Sequence, residues 1–198
     1  MADSHVFVIL LWAFLHGVAS TRCPSACLCE TATWRVSCQG AGLTSLPANL
    51  PSSTTSLDMT RNTLRTIGGH NKILPSNLVE LKLRENRIEV IDNEIGIVTG
   101  PSLQTLDLSS NNLSHIAGGV LRRISSALLH VDLSRNRLVD VDGAFVGLVE
   151  LSRLDIRENL LTLISASTFD GLANLRYLRL DDNHIRYVDA KAFADLDK

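Results

Sequence analysis

The chain has 198 residues with 19 Lys+Arg against 21 Asp+Glu, a formal charge of -2 at pH 7, so no basic field recommends it for nucleic acid. Leucine accounts for 33 residues while aromatics make up only 5%, an excess that signals repetition rather than average globular composition. The length suffices for one good core or the stacked core of a solenoid, which argues against disorder and against a scaffold held by disulfides alone.

In chain order, Val6 to Leu15 (VFVILLWAFL) is an unbroken apolar run followed by Gly17-Val18-Ala19-Ser20. That anatomy predicts a secretory signal peptide over residues 1–20, cleaved after Ala19 or Ser20, although Asp3 is the only formally charged side chain of its weak n-region. Ten to thirteen apolar residues fall short of the roughly 20 that a spanning helix needs. No later stretch is apolar for about 18 residues, so the mature chain is expected to be soluble, with no transmembrane segment.

All four cysteines, Cys23, Cys27, Cys29 and Cys38, follow directly. In an oxidising compartment they read as two disulfides, for which three pairings exist. A zinc site fits less well, because a single residue separates Cys27 from Cys29.

Beyond the cysteines the sequence repeats. Leu103-Gln-Thr-Leu106-Asp-Leu108-Ser-Ser-Asn111-Asn-Leu113-Ser-His-Ile116 follows L-x-x-L-x-L-x-x-N-x-L-x-x-I. Further units are centred on Asn62, Asn86, Asn136, Asn159 and Asn183, so the asparagines fall 24, 25, 25, 23 and 24 residues apart. In x-L-x-L-x the leucines point to one face of a short strand and the intervening residues to the other. Each coil thus contributes one strand to a parallel sheet. The six asparagines are predicted to form an interior ladder whose amides satisfy turn backbone that would otherwise be buried unpaired. On the return limb Phe145, Phe169 and Phe193 recur at 24-residue spacing, each three residues before Leu148, Leu172 or Leu196. One Phe per coil at fixed phase predicts a stacked spine. Residues 68–77 and 93–102 replace that limb with Gly, Pro and aliphatics and should be irregular.

The repeat, with Cys23-Pro24-Ser-Ala-Cys27-Leu-Cys29 and Cys38 ahead of it, resembles the extracellular leucine-rich-repeat family with a cysteine-rich N-terminal cap: the Slit proteins, Trk-type and Toll-type receptors and decorin-type proteoglycans. The resemblance implies an α/β leucine-rich-repeat solenoid. It would have a curved parallel β-sheet on the concave face, mostly irregular or short helical convex limbs, and an N-terminal disulfide cap. It also implies the pairing Cys23–Cys29 and Cys27–Cys38. Residues 21–51 are then the cap and 52–198 about six repeats of the 24-residue type. The cap keeps repeat phase, with Val36 and Cys38 in inward strand positions and Ala41 where the ladder asparagine would stand. Family members usually close with a second cysteine cap, and this sequence holds none after Asn183. Leu178, Leu180, Ile185, Val188, Phe193 and Leu196 are therefore expected to form an open edge, either continued in a longer protein or covered by a partner, self-association included.

Function in a solenoid resides mostly on the concave sheet. Its solvent-facing positions include Arg35, Ser56, Glu80, Lys82, Thr105, Asp107, Ser109, Asp132, Ser134, Arg135 and Asp155. Asp107, Asp132 and Asp155 share one column at about 5 Å spacing, offset by Arg135, Arg153 and Arg157. His130, Arg153, Arg157, Tyr177 and Arg179 form the candidate ligand-binding patch, because Tyr and Arg most often anchor interfaces. Asn112-Leu113-Ser114 is an N-x-[ST] sequon and makes Asn112 a candidate glycosylation acceptor. Catalysis lacks its parts: there is no G-x-S-x-G elbow, no H-E-x-x-H pair and no Gly-rich phosphate loop, and no cofactor or metal is implied. The expected function is an extracellular module that binds a protein ligand, within a receptor or a secreted adhesion, guidance or immune recognition protein. The alternative is a matrix component of the decorin-like class.

Overall fold

The computed structural model describes residues 23–68, 74–92 and 102–196. The predicted signal peptide lies outside the described residues, as does most of the two segments expected to be irregular.

Each x-L-x segment forms a three-residue strand, and successive strands stack one per coil. The main sheet comprises β1 (Leu28–Glu30), β2 (Arg35–Ser37), β3 (Ser56–Asp58), β5 (Glu80–Lys82), β7 (Thr105–Asp107), β8 (His130–Asp132), β9 (Arg153–Asp155) and β11 (Tyr177–Arg179), in that spatial order. Every pairing is parallel except the cap hairpin, where β1 runs antiparallel to β2. Two-residue strands on one flank pair as β4 (Thr66–Ile67) with β6 (Val90–Ile91), and β10 (Leu163–Ile164) with β12 (Tyr187–Val188). Helix is confined, among the described residues, to the single turn Val120–Ile124 on a return limb. The chain is a β-solenoid with the parallel sheet foreseen from the repeat.

Register stacks the inward residues: Val36, Leu57, Leu81, Leu106, Val131, Leu154 and Leu178 are direct partners from strand to strand. All but Leu178 are buried to 3% exposure or less. Burying such a side chain contributes about 1.5–3 kcal/mol, so one column through the coils supplies a large part of the driving force.

After each strand the chain must turn sharply while its backbone stays inside. The residue before each ladder asparagine adopts left-handed backbone, with φ of 59° at Arg61, 54° at Glu85, 56° at Ser110, 57° at Arg135, 52° at Glu158 and 55° at Asp182. Non-glycine residues rarely do so, and the conformation persists because neighbouring coils fix it. The N–H of Arg61 donates to Arg84, that of Ser110 to Ser134 and that of Arg135 to Arg157, extending the sheet ladder past the strands. Each following asparagine then clamps two coils. The Asn136 Nδ2 donates to the carbonyls of Leu108 and Leu133, both at 3.0 Å, and its Oδ1 accepts from the Leu113 N–H at 3.0 Å. Asn62, Asn86, Asn111, Asn159 and Asn183 repeat this three-way pattern.

On the return limb the rings of Phe145 and Phe169 stack at 6.4 Å and those of Phe169 and Phe193 at 5.7 Å. At the cap, disulfides join Cys23 to Cys29 and Cys27 to Cys38. Cys38 is buried, its carbonyl receives the Asn62 amide, and Leu43 donates its N–H to Asn62. The cap is therefore hydrogen-bonded as one more coil. At the other end Leu178, Leu180, Ile185 and Leu196 are only partly buried, while Val188 and Phe193 remain 45% and 43% exposed.

Candidate functional site

The strand register sorts the concave residues into columns. The first runs Arg35, Ser56, Glu80, Thr105, His130, Arg153, Tyr177; the second runs Ser37, Asp58, Lys82, Asp107, Asp132, Asp155, Arg179. Residues from Glu80 to Arg179 in both columns line a shallow concavity of about 380 Å³.

The candidate patch divides in two. His130, Arg153 and Tyr177 are consecutive in the first column and exposed, and the Arg153 guanidinium lies over the Tyr177 ring, 4.7 Å from its centre. This stacking holds a cation and an aromatic face together at the surface. Arg157 and Arg179 are half-buried instead. Their side chains approach Asp155 at 3.6 Å and 3.9 Å, and Arg179 also pairs with Asp181 at 3.0 Å. The Arg157 Nε is sealed from solvent without a hydrogen-bond partner, so this arginine is committed to Asp155 through charge rather than through a formed hydrogen bond.

The aspartate column has a structural task that sequence reasoning missed. Asp58, Asp107, Asp132 and Asp155 each accept, through Oδ1, the N–H of the residue two positions on, at 2.8, 2.9, 2.9 and 3.2 Å. The carboxylate therefore caps the turn out of its strand in the manner of an Asx turn. Its fixed recurrence two residues before Thr60, Ser109, Ser134 and Arg157 was the available signal. Burial pushes the Asp107 carboxyl above its ordinary range against the hydrogen bonds from the Ser109 hydroxyl and N–H, and the neighbouring Asp132 charge adds to the rise. Asp155 is likewise raised by burial, opposed first by the Arg157 N–H; Asp132 raises it further, while the Arg157 and Arg179 charges lower it.

One expectation needs correction. Ser109 and Ser134 do not face solvent: they are 4% and 3% exposed, because they lie in the buried turn that follows each strand, where the Ser109 hydroxyl donates to Asp107 at 2.6 Å. Arg135 pairs with Glu158, at 3.0 Å, one position beyond the columns, and its charge still reaches Asp132. Arg61 and Glu85 form the corresponding pair nearer the cap at 2.8 Å, and that hydrogen bond holds the Glu85 carboxyl below its usual range.

Away from the concave face, Asn112 sits on a flank beside the buried Asn111. A small apolar niche of about 100 Å³ at the cap is lined by Trp34, Val36, Pro51 and Thr54, a feature the sequence did not announce. Among the described residues no three His, Cys, Asp or Glu side chains are placed to hold a metal ion.

Stacked coils, an asparagine ladder and a disulfide-tied first coil define a capped repeat solenoid with an open concave sheet. The chain belongs to the leucine-rich-repeat family, whose model matches residues 76–138, 101–161 and 149–198. Among curated proteins it is 34% identical over 179 residues to human leucine-rich repeats and immunoglobulin-like domains protein 3, covering 89% of this chain and 16% of that protein. It is 29% identical over 175 residues to chicken Toll-like receptor 2 type-1, covering 87% of this chain and 22% of the receptor. To mouse podocan-like protein 1 it is 37% identical over 150 residues, covering 73% of this chain and 26% of that protein. The chain thus spans about a quarter or less of these relatives. A solved structure described as a TLR13-ssRNA13 complex superposes with a TM-score of 0.67 at 23% identity, covering 78% of this chain and 22% of that one, which speaks to the fold alone. The disulfides and the relatives fit an extracellular location, and among the described residues no helix is long and apolar enough to cross a membrane.

Proposed function

We propose that the chain is the ligand-recognition segment of an extracellular receptor or secreted recognition protein, and that it binds a protein through its concave sheet. The observation that carries this reading is the Arg153–Tyr177 pair, an exposed cation stacked on an aromatic ring at the C-terminal end of the first column. Such residues supply most of the energy at protein interfaces, and pre-stacking lowers the entropy lost when a partner seals them. His130 extends the pair along the column, while Arg157 and Arg179 frame it through Asp155. The surface mixes these cations with Asp107, Asp132 and Asp155, which favours a partner of mixed charge over a polyanion.

The test is to display the chain as a multimer, screen it against secreted and cell-surface proteins, and measure affinity for the partner found. Arg153→Glu with Tyr177→Ala should weaken that affinity by about 2 kcal/mol or more, roughly thirtyfold. Lys191→Glu, away from the sheet, should leave it unchanged. Unaltered affinity in the double variant removes the patch from the reading.

A further inference from the structure

We propose that Asn112 carries an N-linked glycan, that the sugar is added before the fourth repeat closes, and that it stands on a flank of the solenoid, leaving the concave sheet bare. This rests on the extracellular reading above. Asn111 and Asn112 are adjacent and chemically identical, yet the fold assigns them opposite tasks. The Asn111 amide is buried and donates to the carbonyls of Leu83 and Leu108, while its Oδ1 accepts from Ile88. The Asn112 side chain makes no hydrogen bond among the described residues and neither of its polar atoms is sealed from solvent. Ser114, whose hydroxyl completes the acceptor sequence, is exposed. The equivalent positions in the adjoining coils hold Arg87 and Arg137, both exposed, so the flank has room for a hydrated branch.

The middle of the sequon sets the order of events. Leu113 is fully buried, its N–H is held by Asn136, and its carbonyl accepts from the Arg137 N–H at 2.9 Å. A transferase must draw the acceptor residues out of the folded coil, and they are no longer available once Asn136 has locked onto Leu113. In the transfer, the Asn112 Nδ2 attacks the anomeric carbon of a lipid-pyrophosphate-linked oligosaccharide. The new N–C bond replaces the carbon–oxygen bond to pyrophosphate, the lipid pyrophosphate departs with the electron pair, and the amide nitrogen gives up one proton; nothing is oxidised or reduced.

The experiment expresses the whole chain with a C-terminal tag in animal cells and treats it with peptide-N-glycosidase. A single mobility step, with Asn112 converted to Asp in the released peptide, is expected for the wild type. Asn112→Gln and Ser114→Ala should each abolish the step, and Ser114→Thr should keep it. Protein recovered from the medium without a step overturns the glycan while sparing the extracellular reading. Protein found only in the cytosol overturns both. Bacterially made chain, offered the lipid-linked oligosaccharide and microsomal transferase, should accept sugar when unfolded in reductant and refuse it when folded. Equal acceptance by the folded chain overturns the proposed order.

Discussion

Replacing Asn136 by alanine isolates one rung of the ladder. The substitution removes two short donated bonds, a longer third to the Ser134 carbonyl at 3.3 Å, and one accepted bond, but the groups left behind differ. The Leu108 carbonyl keeps the amide of Asn111 and the Leu133 carbonyl keeps that of Asn159, so neither is stranded. The Leu113 N–H loses its acceptor inside a fully buried residue. An orphaned buried donor costs about 1–3 kcal/mol and each lost amide–carbonyl bond about 0.5–1.5 kcal/mol, which together centre on about 4 kcal/mol. That is nearly a thousandfold in the unfolding equilibrium. Urea unfolding compared at equal slope reads the loss, and hydrogen exchange in the 108–116 peptide shows whether the Leu113 amide is the group released. Asn183→Ala should cost somewhat less, since Asn183 and Leu180, whose carbonyl it holds, are half-buried, although the Leu161 N–H that it also accepts belongs to a fully buried residue. An Asn136→Ala loss under about 1 kcal/mol, or equal losses at both positions, would refute the argument that unsatisfied backbone is what the ladder prevents.

Three further outcomes are expected. Phe169→Ala, in the middle of the stacked spine and 1% exposed, should destabilise by about 3–5 kcal/mol, and Phe193→Ala by much less because that ring is 43% exposed; calorimetric melting distinguishes them. Reducing Cys23–Cys29 and Cys27–Cys38 should lower stability by about 2–5 kcal/mol and fray the cap coil first, so an unchanged melting curve in reductant counts against the cap as a stabilising lid. The folded chain binds the protons of Asp107 and Asp155 more tightly than the unfolded chain does, so their contribution to stability falls as pH rises from about 4 through the raised folded values. Asp107→Asn keeps an acceptor for Ser109 and should flatten that slope relative to the wild type in melts between pH 4 and 6; a steeper slope would contradict burial as the cause.

The asparagine ladder, the phenylalanine spine and the inward leucines were legible because each is a residue type recurring at one phase, and a periodic fold turns equal spacing into equal position. The aspartates recur as well, but their use as turn caps depends on where Oδ1 points relative to an N–H two residues on, which spacing leaves open. Ser109 and Ser134 misled for a related reason: alternation assigns a face, while burial depends on how deeply a short side chain sits beneath its neighbours. Within the candidate patch, sequence could group His130, Arg153, Arg157, Tyr177 and Arg179 by coil. It could not separate the exposed stack of Arg153 on Tyr177 from the arginines spent on Asp155.

The sequence by itself determined the repeat length, the direction of the leucines, the identity of the ladder residues and hence the solenoid, because local alternation and turn chemistry act within a single coil. Only the tertiary structure decided which charges answer one another, which of two adjacent asparagines is locked and which is free, and where cation and ring meet. Those outcomes depend on contacts between coils some 24 residues apart, where a side chain's task is set by its neighbour in the next turn of the solenoid.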